Sequence, residues 1–199
     1  MPGMDDYLVR VLKLAQEDPR YQQLAEYLVS RRAMPEMSTR YLGSTSGDFE
    51  DRGAGSGKLR LNSELTNNPS AAVKTLSHEM THASMAQMGR QWYDLYKKPN
   101  KTPEEQRFVD NYEKVLSGTK NSGLLTQMQA FDPEWYQKNT GYRSSYAEAP
   151  AFAIGDLKKN YSAHNAPLHM DPSIATQYMQ LLDQAQKLQS ATYNQSQGR

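Results

Sequence analysis

Positions 78–82 read His78-Glu79-Met80-Thr81-His82, two histidines four apart with a glutamate directly after the first. On a helix, residues four apart project from one face, one turn above the other. Two imidazole nitrogens then come within reach of a single metal ion, with the Glu79 carboxylate beside them. A zinc ion with an open coordination position brings the pKa of its bound water towards neutrality, and a nearby carboxylate can take the proton. The chemistry implied is metal-assisted hydrolysis, most often of a peptide bond. The plainer alternative is a pair of ordinary polar histidines on a half-exposed helix. Helical spacing argues against it. With His78 at zero on a wheel of about 100° per residue, His82 falls near 40° and Glu79 near 100°. Val73, Leu76, Met80 and Ala83 fall between about 140° and 220°, opposite the histidines. One side of the helix is an apolar stripe, and the other presents the candidate ligands, flanked by small Ala71, Thr75 and Ala86.

A catalytic zinc site generally takes a third protein ligand and leaves the fourth position to water. The chain has no cysteine, so a metal here must use His, Asp, Glu or water. The pattern with a glycine three residues and a histidine six residues beyond the second His fails, because Met85 and Met88 hold those positions. Glu104, Glu105 and Glu113 fall on a charged helix surface, and Glu134 follows a proline in a short piece. Glu148 is set apart by its surroundings, Tyr146-Ala-Glu-Ala-Pro-Ala-Phe-Ala-Ile154. A carboxylate among small and apolar residues needs a partner, and a metal ion is such a partner. Ser145-x-x-Glu148 also fits a capping box, which would turn Glu148 back on its own helix, although Pro150 disturbs that helix start. Asp156, His164 and His169 are the remaining candidates. The two histidines lie in a turn-rich segment that suits exposure or contact with substrate.

Elements must position these groups. Tyr7, Leu8, Val11, Leu12 and Ala15 recur at helical spacing over 5–16, and Pro19 opens a second helix to about Arg32. Thr39–Leu42 is a strand candidate. Residues 43–57, rich in Gly, Ser and Asp, read as a mobile loop. Lys58–Asn62 alternates polar and apolar, as a half-buried strand does. Asn68 as N-cap and Pro69 at the first helical position start the histidine helix, expected to reach about Met88. Thr102-Pro103-Glu104-Glu105 is a capping box opening a helix that stops near Gly118. Shorter helical pieces follow at 124–130 and 133–138. A helix spans 145–159, and a last one after Asp171-Pro172 ends in a polar tail from about Thr192.

The 199 residues suffice for one domain with its own core. A net charge of +1 gives no electrostatic case for nucleic acid or an acidic membrane. Mean hydropathy is −0.85, and no run approaches a membrane span. The N-terminus lacks the basic and apolar regions of a secretory signal. The expectation is a helix-dominated α+β domain over 1–199, with a small sheet beside the histidine helix and a helical lower half.

These motifs resemble the gluzincin zinc metallopeptidases, whose two motif histidines are joined by a glutamate from a following helix; the small single-domain members look closest. The likeness covers roughly 58–89 and 144–156. It implies a zincin-like fold in which His78, His82 and Glu148 bind Zn2+ and Glu79 acts on the water. It also implies that the Lys58–Asn62 strand is similar to the family's edge strand, which runs along the cleft and pairs with extended substrate. Glu148 follows His82 by 66 positions, longer than in compact relatives, which implies a helical insertion at about 90–140. No residue copies the family's oxyanion-stabilising group clearly; Tyr142, Arg143, Tyr146 and His164 are candidates, with Tyr146 and His164 the expected catalytic donors.

The resulting expectation is a zinc-dependent peptidase acting on a protein or peptide in extended form. A narrower version is a delivered effector or toxin, exported without a cleaved signal. The rival is a non-catalytic, metal-stabilised binding module on the same scaffold, against which the intact Glu79 counts, since a structural zinc needs no base.

Overall fold

The computed structural model describes residues 4–53, 57–120, 150–151, 153–155, 160–161, 166–167 and 173–197. Its elements are α1 (Met4–Ala15), α2 (Pro19–Ser30), β1 (Glu36–Arg40), β2 (Gly47–Glu50), β3 (Lys58–Asn62), a 3-10 turn (Ser63–Asn67), α3 (Pro69–Lys97) and α4 (Pro103–Lys120). A helical stretch at 150–151 and 153–155, here α5, follows. A two-stranded ribbon pairs β4 (Asn160–Tyr161) with β5 (Ala166–Pro167), and α6 (Ser173–Gln197) closes the series. The architecture is α+β and helix-dominated, with a small mixed sheet.

Local chemistry explains most boundaries. Asp18 caps α2 by accepting the Arg20 N–H at 2.9 Å, and Pro19 occupies the first position. Asn68 caps α3 through the Ala71 N–H at 3.1 Å. The capping box of α4 closes in both directions. The Glu105 N–H donates to Thr102 Oγ1 at 3.2 Å, and the Thr102 N–H donates to Glu105 Oε2 at 2.8 Å.

Two helices outrun the sequence reading. α3 continues through Gly89 to Lys97 instead of ending near Met88. Gly89 serves close packing there, since a Cβ on it would stand 3.1 Å from the Tyr112 hydroxyl of α4. α6 likewise continues past Thr192 to Gln197.

The core forms around α3. Leu76, Met80 and Ala83 point into it, as the apolar stripe requires, together with Tyr21, Leu24 and Leu28 of α2, Leu59 and Leu61 of β3, and Tyr178 and Leu182 of α6. Val73 is only half-buried. The side of α3 facing α2 and α6 is polar yet buried. Thr81 donates to Ser77 O at 2.8 Å, Ser84 donates to Thr81 O at 2.9 Å, and the Tyr178 hydroxyl donates to Thr81 O at 3.2 Å. Tyr27 donates to Gln91 Oε1, whose amide donates to Ala185 O. Buried groups paired in this way hold α2 and α6 in register on α3.

The sheet corrects two expectations. Its order is β1-β3-β2, with β1 parallel and β2 antiparallel to β3. Lys58–Asn62 is therefore the central strand, and the edge beside α3 is β2, inside the segment read as a mobile loop. The cause is cross-strand pairing hidden by a loop-like composition. Arg60 lies opposite Asp48 and bonds it at 2.6 Å, while Lys58 lies opposite Glu50 and Glu36. The other face turns Leu59 and Leu61, both fully buried, towards α3. Among the described residues, no helix is long and apolar enough to cross a membrane.

Candidate metal centre

The residues that bear the chemistry lie near the middle of α3, where helix, strand and core contacts hold the backbone from several sides. His78 is 7% exposed and Glu79 6% exposed; His82 is half-buried. The Nε2 atoms of His78 and His82 stand 3.1 Å apart, with the ring planes at 80°. Two nitrogens bound to one zinc at about 2.0–2.1 Å and a tetrahedral angle are about 3.3 Å apart, so the pair is already close to chelating separation. The same distance suits a hydrogen bond between two neutral imidazoles, one donating and one accepting. One donor atom from each of His78, Glu79 and His82 lies within 4.8 Å of the others. These three side chains form a group able to hold a metal ion.

Two glycines shape its surroundings. On the Glu79 side, Gly47 of β2 lies directly on the helix. A Cβ there would stand 2.6 Å from Thr75 Cγ2, 3.1 Å from Arg60 O and 3.3 Å from Glu79 Cγ. Beyond Glu50, Asp51 takes a forked ion pair from Arg90, at 2.5 and 2.6 Å, three turns along α3 from Glu79. β2 thus runs along α3 and is fastened at both ends. On the other side of His78, Gly155 of α5 lies against the helix, where a Cβ would meet Lys74 O at 2.8 Å and His78 Cβ at 3.1 Å.

His78, Glu79 and His82 are brought together as the spacing requires. Glu148, Tyr146 and His164 lie outside the described residues, as do Tyr142, Arg143, Asp156 and His169. The described part of α5, from residue 150, packs against the histidine turn through Gly155. Gly47 and Gly155 were not singled out from the sequence. Gly155 carries a readable signal, a glycine inside a run of small residues, which marks close backbone approach. Gly47 carries none, since glycine is unremarkable in a segment of loop composition. No protein-family model, curated protein or solved structure matches this chain.

Proposed function

We propose that the chain is a zinc-dependent peptidase of the gluzincin type, on a zincin-like scaffold, acting on a polypeptide in extended form. The observation that carries the reading is the His78–His82 pair at near-chelating separation, with the Glu79 carboxylate beside it and an antiparallel edge strand along the same helix. When bound, zinc would supply Lewis acidity at a position open to water and to a substrate carbonyl. His78 and His82 hold it from one helical turn, and Glu148 is the proposed third ligand. Glu79, on α3 beside Gly47 of β2, accepts the proton of the attacking water and passes it to the leaving amine. The outer edge of β2 offers main-chain donors and acceptors to an extended chain, the role that the resemblance gave to β3. Tyr146 and His164 remain the proposed donors to the developing oxyanion, a contribution of about 3–4 kcal/mol for such a group.

The test joins metal analysis with cleavage of casein. Wild-type protein should bind one equivalent of zinc and cleave. Glu79→Gln should keep the zinc and lose about 10²–10⁴-fold in rate. Glu148→Ala should lower zinc occupancy; unchanged occupancy moves the third ligand to Asp156, His164 or His169. Full activity in Glu79→Gln rejects the assigned base. Tightly bound zinc without cleavage by the wild type favours the binding module.

A further inference from the structure

Apart from the metal group, α3 lines a cavity of about 320 Å³, shared with the α1–α2 turn and α5. Ser77 is among its lining residues, 2% exposed, and its hydroxyl has no hydrogen-bond partner among the described residues. The same helix shows what a buried hydroxyl ordinarily does there. Thr81 and Ser84 both donate back to a carbonyl of the preceding turn. Ser77 does not, and it borders the cavity. Leaving a buried hydroxyl unsatisfied is costly, so a group that accepts or donates at this point would be favoured.

The remaining walls indicate which group. Leu14, Val73 and Ile154 supply an apolar side. Among the described lining residues, Arg20 and Lys74 are cationic and Asp18 is the single acid. Arg20 commits Nε and Nη2 to Asp18, which leaves Nη1 outside that fork. Lys74, already engaged in an interaction of its own, adds positive potential rather than a bare ammonium. The volume falls at the lower end for small-ligand pockets and far exceeds that of one structural water. Gly155, itself part of the wall, lies against His78, so the cavity and the histidine pair flank the same contact between α3 and α5.

We propose that this cavity is a binding site for a small carboxylate with a short aliphatic body, received by the Ser77 hydroxyl and the Arg20 end and separate from the metal group. The test uses propionate as probe and propionamide as its neutral isostere, on full-length zinc-free protein, read by methyl NMR at Ile154 and Leu14. Saturable propionate shifts at both methyls are expected, with propionamide at least about tenfold weaker, as loss of a hydrogen bond to a charged group implies. Ser77→Ala should fold as well as the wild type and weaken propionate by about tenfold or more. No saturable shift in the wild type overturns the proposal, as does equal binding of acid and amide, or an unchanged affinity in Ser77→Ala. Because the readout is binding to metal-free protein, its failure leaves the peptidase reading standing, and failure of casein cleavage leaves this site standing.

Discussion

Gly47 faces Glu79 across the boundary between sheet and helix, with only 3.3 Å between Glu79 Cγ and the place a Cβ on residue 47 would occupy. Thr75 Cγ2 is closer still to that place, at 2.6 Å. Gly47→Ala should therefore lift β2 off α3 and destabilise the protein by about 1–3 kcal/mol. Thr75→Ser, which removes the nearest carbon, should recover part of the loss in the double variant. Urea unfolding of the two single variants and the double variant checks this; strictly additive losses would mean that residues 47 and 75 do not share the strain.

The histidine pair predicts how metal and stability are linked. A ligand that binds only the folded chain raises its stability with concentration. Zinc should raise the melting temperature, and a chelator should return it to the metal-free value. His78→Ala and His82→Ala should each abolish the rise, with little change in the melting temperature of the metal-free protein for the half-buried His82. A zinc-dependent rise that survives loss of both imidazoles would place the metal elsewhere.

Asp18 gives a prediction in pH. Partial burial pushes its carboxyl up, but the Arg20 hydrogen bonds and charge outweigh this and hold it below the usual range. A depressed folded pKa means that the stabilisation is present above the unfolded value, about 3.9, and is lost as pH falls through the folded value. Asp18→Ala should cost about 1 kcal/mol at neutral pH through the lost helix cap. The gap between wild type and variant should close as the solution is acidified below about pH 4. Unfolding curves at neutral and acid pH decide it, and a gap independent of pH would remove the charge from the account.

Arg32 predicts a gain. It follows α2 with φ of 53°, while the next residue, Ala33, donates to Leu28 O at 2.8 Å, closing the helix end. That backbone region disfavours any residue with a Cβ and suits glycine. Arg32→Gly should stabilise the protein by about 0.5–1 kcal/mol, seen as a higher urea midpoint at unchanged slope.

Where a side chain closes its own backbone, the sequence reads well. Asn68-Pro69, Asp18-Pro19 and Thr102-x-x-Glu105 each mark a helix start to within a residue, because cap and helix are neighbours along the chain. The histidine pair is legible for the same reason, since four residues of helix fix its geometry. Distant pairing is harder to read. β2 depends on Arg60 finding Asp48, and nothing in Gly47–Glu50 alone distinguishes that strand from a loop. The close approach at Gly89 involves Tyr112, a residue of the next helix. Glu148 rests on its apolar sequence setting and on the family resemblance, as it lies outside the described residues.

The 29 residues of α3 make a rod of about 44 Å, clamped by α2, α4, α6 and the sheet, with the histidine turn near its midpoint. The imidazoles are thus mounted on a helix that neighbouring elements hold on several sides. Ion capture should then cost little ordering, unlike in zinc fingers, where coordination and folding are one event. Removing an ion bound there should leave the helix packing intact, as far-UV circular dichroism before and after chelation would show.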